Sequence, residues 1–381
     1  MRSLRPVMLS VALLGCTAAS DADQGAPAPA APPFAVEELA RFDQPWAMTF
    51  LPGGSQALIT ERRGTLRLWT QGSPAAEVGG VPAVDYGGQG GLGDVILDPQ
   101  FASNHLVYLS FVEPAEGGSR HAAVGRGRLL TDGGAARIEG FQVIWRQTPG
   151  FEGQGHYGHR LAFSPDGRYL FISSGERQEF TPAQDMNSNA GKILRLNPDG
   201  SVPADNPFAS RGGVTAQIWS LGHRNPLGIA FDAEGRLWES EMGPRGGDEL
   251  NLIERGGNYG YATVSNGDHY DGRDIPDHRP GDGFIAPKVW WTPVISPGNM
   301  IIYSGAMFPQ WRGNVLLAGL SSQAIVRVAF EGTNAREVER YAMGQRIREL
   351  EQHPDGSVYV LEDQRESGGA GGRLLRLVPR R

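Results

Sequence analysis

One phrase recurs along this chain and limits its folding more than any other feature. It consists of an apolar strand, a turn at Pro, Asp or Gly, a second apolar strand and then a third. It runs through Trp46 to Trp69, Leu92 to Leu109, Arg160 to Leu196, Leu227 to Ser240, Met300 to Ala318 and Leu350 to Leu377. The turns are spelled most openly at Ser164-Pro-Asp-Gly167 and His353-Pro-Asp-Gly356, where proline and glycine set the dihedrals that a reversal needs. The abundance of those two residues, 54 Gly and 27 Pro among 381, fits many short strands joined by many turns. A unit of three or four strands cannot bury both of its faces alone, so the six copies must stack. A six-bladed β-propeller meets that demand and protects most sheet edges. A large two-sheet sandwich or a β-helix is the rival all-β solution. No stretch holds a helical period. Insertions between copies decorate one rim of a propeller. The largest, Gly256 to Trp290, is rich in Gly, Asp and Tyr and is expected as a binding-face loop.

Upstream of the repeats, Met1 to Arg5 is basic and Pro6 to Leu14 is apolar but too short to span a bilayer. Leu13-Leu14-Gly15-Cys16 resembles a bacterial lipobox, in which Cys16 becomes a lipidated first residue; a plain export signal is the alternative. Residues 1–16 are therefore expected as a signal, 17–33 as an Ala/Pro-rich tether and 34–381 as the propeller. Cys16 is the only cysteine, which excludes a disulfide framework and any thiolate-based metal site. A net charge of −7 argues against nucleic acid or a membrane surface as partner, leaving membrane contact to the lipid anchor alone.

Four clusters interrupt the repeat where chemistry would be grafted. Gly87-Gly-Gln-Gly-Gly91 is either a plain turn or a tight loop that brings the Gln89 amide to a ligand. Gly153-Gln-Gly-His-Tyr-Gly-His-Arg160 offers His156 in a loop as a general base, with Glu176 at the end of the next strand to fix its tautomer and raise its basicity. His159, next to the strand, reads as a structural histidine, and a structural role for either one is the plainer alternative. Arg224-Asn225 before Pro226 makes a rigid fork of donors for carboxylate or carbonyl oxygens, or else a structural ion pair. In Glu239 to Glu249, the Gly243-Pro244 carbonyls with Asp248 and Glu249 offer oxygen ligands suited to Ca²⁺, although the spacing is not that of an EF-hand. Arg346-Ile-Arg348 places two guanidinium groups on one side of an extended segment, where they clamp an anion or merely end a strand.

Together, and above all through His223-Arg-Asn-Pro-Leu-Gly-Ile-Ala-Phe231 and Gly243-Pro-Arg-Gly-Gly-Asp-Glu-Leu-Asn251, these segments resemble the soluble pyrroloquinoline quinone (PQQ)-dependent aldose sugar dehydrogenases, from about Trp46 to Pro379. The resemblance implies hydride transfer from the anomeric carbon of an aldose to Ca²⁺-bound PQQ, with an external electron acceptor. It implies His156 as the base, Glu176 as its acidic partner and Arg224 as donor to the quinone oxygen that gains charge. Gln89, Asn225, Arg346 and Arg348 would contact the cofactor. The carbonyls of Gly243 and Pro244 would hold the cofactor's Ca²⁺, and Glu249 with Tyr259 a second, structural Ca²⁺. Two positions depart from the pattern: Met242, where relatives usually carry a polar residue, and Ser321-Ser322, near where some place a lysine. A calcium-dependent lactonase-type hydrolase and a non-enzymatic sugar- or protein-binding propeller are the alternative readings.

Overall fold

The computed structural model describes residues 32–131, 135–363 and 371–380. The signal, Cys16 and nearly all of the expected tether lie outside the described residues. Six four-stranded antiparallel sheets follow one another along the chain, and their innermost strands are Pro45–Phe50, Leu92–Leu97, Gly158–Phe163, Pro226–Phe231, Pro297–Ile302 and Ile347–Gln352. Each innermost strand packs beside that of the next blade, and the last returns to the first, so the sheets close a ring. The fold is the six-bladed β-propeller expected from the repeats. The ring is closed by a device that the repeats do not announce. Strand Phe34–Phe42 pairs antiparallel with Gly372–Pro379, from Phe34 opposite Pro379 to Phe42 opposite Gly372, and so forms the outer edge of the last blade.

The apolar core lies between blades. Trp46 and Leu58 of the first pack with Leu92, Leu109 and Phe111 of the second, all below a tenth exposed. Strand alternation supplies these contacts, since each inward residue faces the neighbouring sheet. The insertion Gly256 to Trp290 differs in one respect from expectation. Its end belongs to the blade itself, because Val289–Trp291 is the outermost strand of the fourth sheet. Within it, Gly267–Asp268 pairs with Arg245–Gly246, tying the loop to the top of that blade.

One side chain on the propeller axis touches all five other blades. Arg160, in the third, donates from Nε to Leu227 O at 2.9 Å and from Nη2 to Gly298 O at 2.8 Å. It pairs with Glu349 at 2.7 Å and Asp94 at 3.4 Å, and its guanidinium lies 3.9 Å from the Trp46 ring centroid. This layer divides the axial channel. Beneath it is a cavity of about 330 Å³ whose lining includes Asp94, Glu349 and Glu351. Above it is a second cavity, lined from the opposite ends of the same innermost strands.

Candidate active site

The upper cavity, about 370 Å³, falls in the size range of small-molecule sites. Gln89, Asn225, Arg346 and Arg348, which the sequence nominates, line it together, with Trp46, Arg62, Met242 and Asp363. Asp363 holds both arginines of the pair, accepting from Arg346 Nε at 2.8 Å and from Arg348 Nη2 at 3.0 Å. Burial would push its carboxyl up, but the two guanidinium groups outweigh that and hold it at about 2. Arg62 was not singled out by the sequence. It donates to the carbonyls of Gly88 and Gly90, holding the glycine loop that presents Gln89, and burial first, then the nearby Arg348, lower its pKa. Among the lining residues three guanidinium groups face one carboxylate, so the cavity is cationic inside an acidic protein.

Next to it His156 sits in the loop before strand Gly158–Phe163, in a left-handed conformation with φ of 47°. Strain of that kind persists only where surrounding contacts impose it. Here its backbone N–H donates to Gln89 Oε1 at 2.9 Å. Arg177, a fully buried residue with no signal in the sequence, donates to the carbonyls of Gly153 and Gly155 in the same loop and lies over the Tyr157 ring at 3.8 Å. Gly175 allows the close approach: a Cβ there would stand 2.1 Å from His156 O. Glu176 then reaches the imidazole, with 2.5 Å between Nδ1 and Oε1, while Oε2 accepts the Phe180 N–H at 2.7 Å.

Burial pushes Glu176 up, yet the His156 hydrogen bond, the Phe180 N–H and Arg224 outweigh it, and its pKa lies below the usual carboxylate value. An ionised carboxylate only accepts, so Nδ1 carries the proton and Nε2 is left as the basic nitrogen. Glu176 raises the basicity of His156, as expected, but it is not the larger effect. Burial dominates, Arg224 adds to it, and the imidazole pKa is lowered below 6.5 despite the carboxylate. The result is a neutral base at neutral pH. His159, by contrast, is enclosed, bonds Ser110 Oγ at 2.9 Å and is driven down to about 3 by burial.

Arg224 and Asn225 form the turn before strand Pro226–Phe231, fixed by Glu241, whose Oε2 accepts both backbone N–H groups. The Arg224 guanidinium donates to Gly243 O at 2.6 Å and Met242 O at 3.0 Å, and its buried Nε has no partner. Asn225 Oδ1 accepts from Gly158 N at 3.3 Å, and its Nδ2 faces only the Met242 sulfur at 3.9 Å. Asn225, which lines the cavity, therefore keeps a donor for a ligand oxygen. Ser321 bonds Val294 O and is exposed, so no cation stands there.

Gly243 and Pro244 are buried. A Cβ on Gly243 would lie 2.2 Å from Gly247 O and 2.3 Å from Gly246 O, so only glycine lets these carbonyls crowd together. Glu249 lies elsewhere, in a buried cluster. Antiparallel register sets Glu239 opposite Asn251 and Glu241 opposite Glu249. The Asn251 amide donates to all three carboxylates, at 3.0 Å to Glu239, 3.4 Å to Glu241 and 3.1 Å to Glu249. His223 Nδ1 is 3.2 Å from Glu241, and ligand atoms of His223, Glu239 and Glu241 lie within 4.8 Å of one another. Burial and mutual repulsion push Glu239 and Glu249 well above the usual range, and Glu239 Oε1 and Asn251 Oδ1 are buried without partners. That oxygen-rich, electron-rich set fits a hard cation. Tyr259 closes it indirectly: its ring stacks on His223 at 4.8 Å while its hydroxyl donates to Leu252 O at 2.6 Å. The alternation Glu239-Ser-Glu241 on one strand was the available signal for the two extra carboxylates.

Comparison with known proteins gives consistent results. The family described as Glucose / Sorbosone dehydrogenase matches residues 42–376. Aldose sugar dehydrogenase YliI of Escherichia coli (strain K12) is 39% identical over 347 residues, covering 89% of this chain and 91% of that one. The crystal structure of the soluble aldose sugar dehydrogenase from Escherichia coli in the apo-form superposes with a TM-score of 0.85, covering 91% of this chain and all (100%) of that one. The PQQ-bound form of aldose sugar dehydrogenase from Streptomyces coelicolor is 28% identical with a TM-score of 0.74, covering 92% and 99%.

Proposed function

The chain belongs to the glucose/sorbosone dehydrogenase family, and from that premise we propose that it oxidises aldose sugars at the anomeric carbon to lactones, using PQQ held with Ca²⁺. The observation that carries the reading is the charge of the upper cavity: three guanidinium groups to one carboxylate suit a small, multiply anionic cofactor. When bound, the quinone supplies the hydride acceptor. Arg62, Arg346 and Arg348 would hold its carboxylates, and Gln89 and Asn225 its polar edge. The Gly243 and Pro244 carbonyls would serve the cofactor's Ca²⁺. The Glu239, Glu241 and Glu249 cluster would hold the structural ion.

The chain's own groups supply the rest. His156 Nε2 takes the proton of the anomeric hydroxyl as the C1 hydride leaves, and Glu176 stabilises the imidazolium. Arg224 would donate to the oxygen on which negative charge grows. An external acceptor would take the two electrons. The lipobox-like Leu13-Leu14-Gly15-Cys16 supports export with a lipid tether as the only membrane contact. Among the described residues no helix is long and apolar enough to cross a membrane.

The test mixes the protein with Ca²⁺ and PQQ, then an aldose and a dye acceptor. Dye reduction that needs both additions is expected. His156→Ala lowers kcat by about 10²–10⁴-fold while quinone affinity stays. Failure to bind quinone moves the reading to a binding propeller; binding without aldose turnover refutes the substrate class.

A further inference from the structure

Large apolar side chains left exposed among the described residues are few: Val36, Tyr86, Phe180, Val202, Tyr270 and Trp290. Two of them stand one hydrogen bond from the groups assigned to chemistry. Phe180 is 41% exposed, and its N–H is the donor to Glu176 Oε2 at 2.7 Å. It holds a left-handed φ of 60°, a conformation that a phenylalanine rarely adopts. Tyr270 is 71% exposed, and its hydroxyl is 3.4 Å from Arg224 Nη2. It projects from a tight turn closed by Gly272 N–H to His269 O at 3.0 Å and by His269 N–H to Arg273 O at 3.0 Å. His269 joins the two segments, its ring meeting Phe180 edge to face at 5.3 Å and 77°.

We propose that Phe180, His269 and Tyr270 form an aromatic subsite that stacks on the pyranose ring of the sugar presented to His156. The proposal rests on the aldose-oxidising reading above and names what holds the substrate there. A pyranose chair has an apolar C–H face and a rim of hydroxyls. It therefore suits aromatic faces flanked by donors, here the Tyr270 hydroxyl, the His269 ring and the Arg224 guanidinium. The near-perpendicular Phe180 and His269 rings make a corner, whereas a flat aromatic electron acceptor asks for a parallel slot. The segment 179–181 and the insertion of the fourth blade thus act together in sugar choice.

Stacking acts on the bound sugar before and during reaction alike, so its loss raises KM and spares kcat. In the cofactor-loaded enzyme, Phe180→Ala and Tyr270→Ala are each expected to raise KM for glucose about three- to tenfold. Quinone affinity and the KM of the dye acceptor stay as in the parent, and Tyr270→Phe gives a smaller rise than Tyr270→Ala. A raised acceptor KM with an unmoved sugar KM overturns the proposal in favour of acceptor docking. A second measurement does not need turnover. Saturation-transfer NMR on the full chain without cofactor, with methyl β-D-glucopyranoside as probe, is expected to show transfer to the ring C–H protons that the double Ala variant loses. Equal transfer in parent and variant overturns the subsite. Transfer that depends on both residues in a protein that oxidises no aldose keeps the subsite and refutes the oxidation reading instead.

Discussion

Glu176→Gln is close to isosteric, yet the contacts of Glu176 predict that it is severe. The carboxylate accepts on both oxygens, from His156 Nδ1 at 2.5 Å and from the Phe180 N–H at 2.7 Å. Glutamine offers one oxygen and one NH₂. If the oxygen serves His156, the NH₂ faces the Phe180 N–H, two donors in a buried place, at a cost of about 1–3 kcal/mol. The chain relieves this by turning the oxygen to Phe180, which points NH₂ at Nδ1. Nδ1 must then accept, the ring proton moves to Nε2, and the base is gone. That cost alone leaves the working tautomer about 5- to 150-fold depleted. Loss of the charge that stabilises the imidazolium adds to it, so kcat is expected to fall by about 10²–10⁴ in all. The assay is kcat at saturating sugar and PQQ, with quinone affinity measured alongside. Glu176→Ala, which forces neither tautomer, is expected to keep at least as much activity as Glu176→Gln. A Gln variant within threefold of the parent, or one clearly better than Ala, refutes the tautomer argument.

His156 must be neutral to act, and burial lowers its pKa, so kcat/KM is expected to rise with pH through an inflection below 6.5 and stay level above it; an inflection above 6.5 contradicts the buried, desolvated base. Excess chelator is expected to lower the melting temperature and release quinone, and Ca²⁺ at 100 times its Kd to restore about 2.7 kcal/mol; an unmoved melting curve removes the Glu239, Glu241 and Glu249 cluster as a metal site. Arg160→Met strands Asp94 and Glu349 and is expected to cost about 3–5 kcal/mol at pH 8 in urea unfolding. Glu349 titrates at about 8 when folded against 4.5 as a free side chain. The folded state therefore keeps its proton at pH 5, the cost there is smaller, and equal costs at the two pH values would argue against the ion layer.

The blades were legible because their signals are local: strand alternation and the Pro-Asp-Gly turns need only neighbouring residues. The ring closure was not, since Phe34–Phe42 finds its partner at the other end of the chain and carries no copy of the phrase. In the site, His156, Glu176, Arg224 and Asn225 were legible because each interrupts the repeat in a connection. Arg62 and Arg177 were hidden for a physical reason. Their guanidinium groups serve backbone carbonyls of distant loops, an interaction that leaves no residue type to read. The low pKa of His156 was also out of reach, because desolvation depends on everything packed around the ring.

Glu241 shows why the acidic cluster and the Arg224-Asn225 turn are not separate matters. One of its oxygens faces His223 and Asn251 inside the cluster, and the other accepts the backbone N–H groups of Arg224 and Asn225. A cation in the cluster would bind the oxygen that faces His223 and leave the other to that turn. The turn in turn aims the Arg224 guanidinium. The buried acidic cluster thereby bears on the Arg224 guanidinium through a single side chain, with no movement of the blades required.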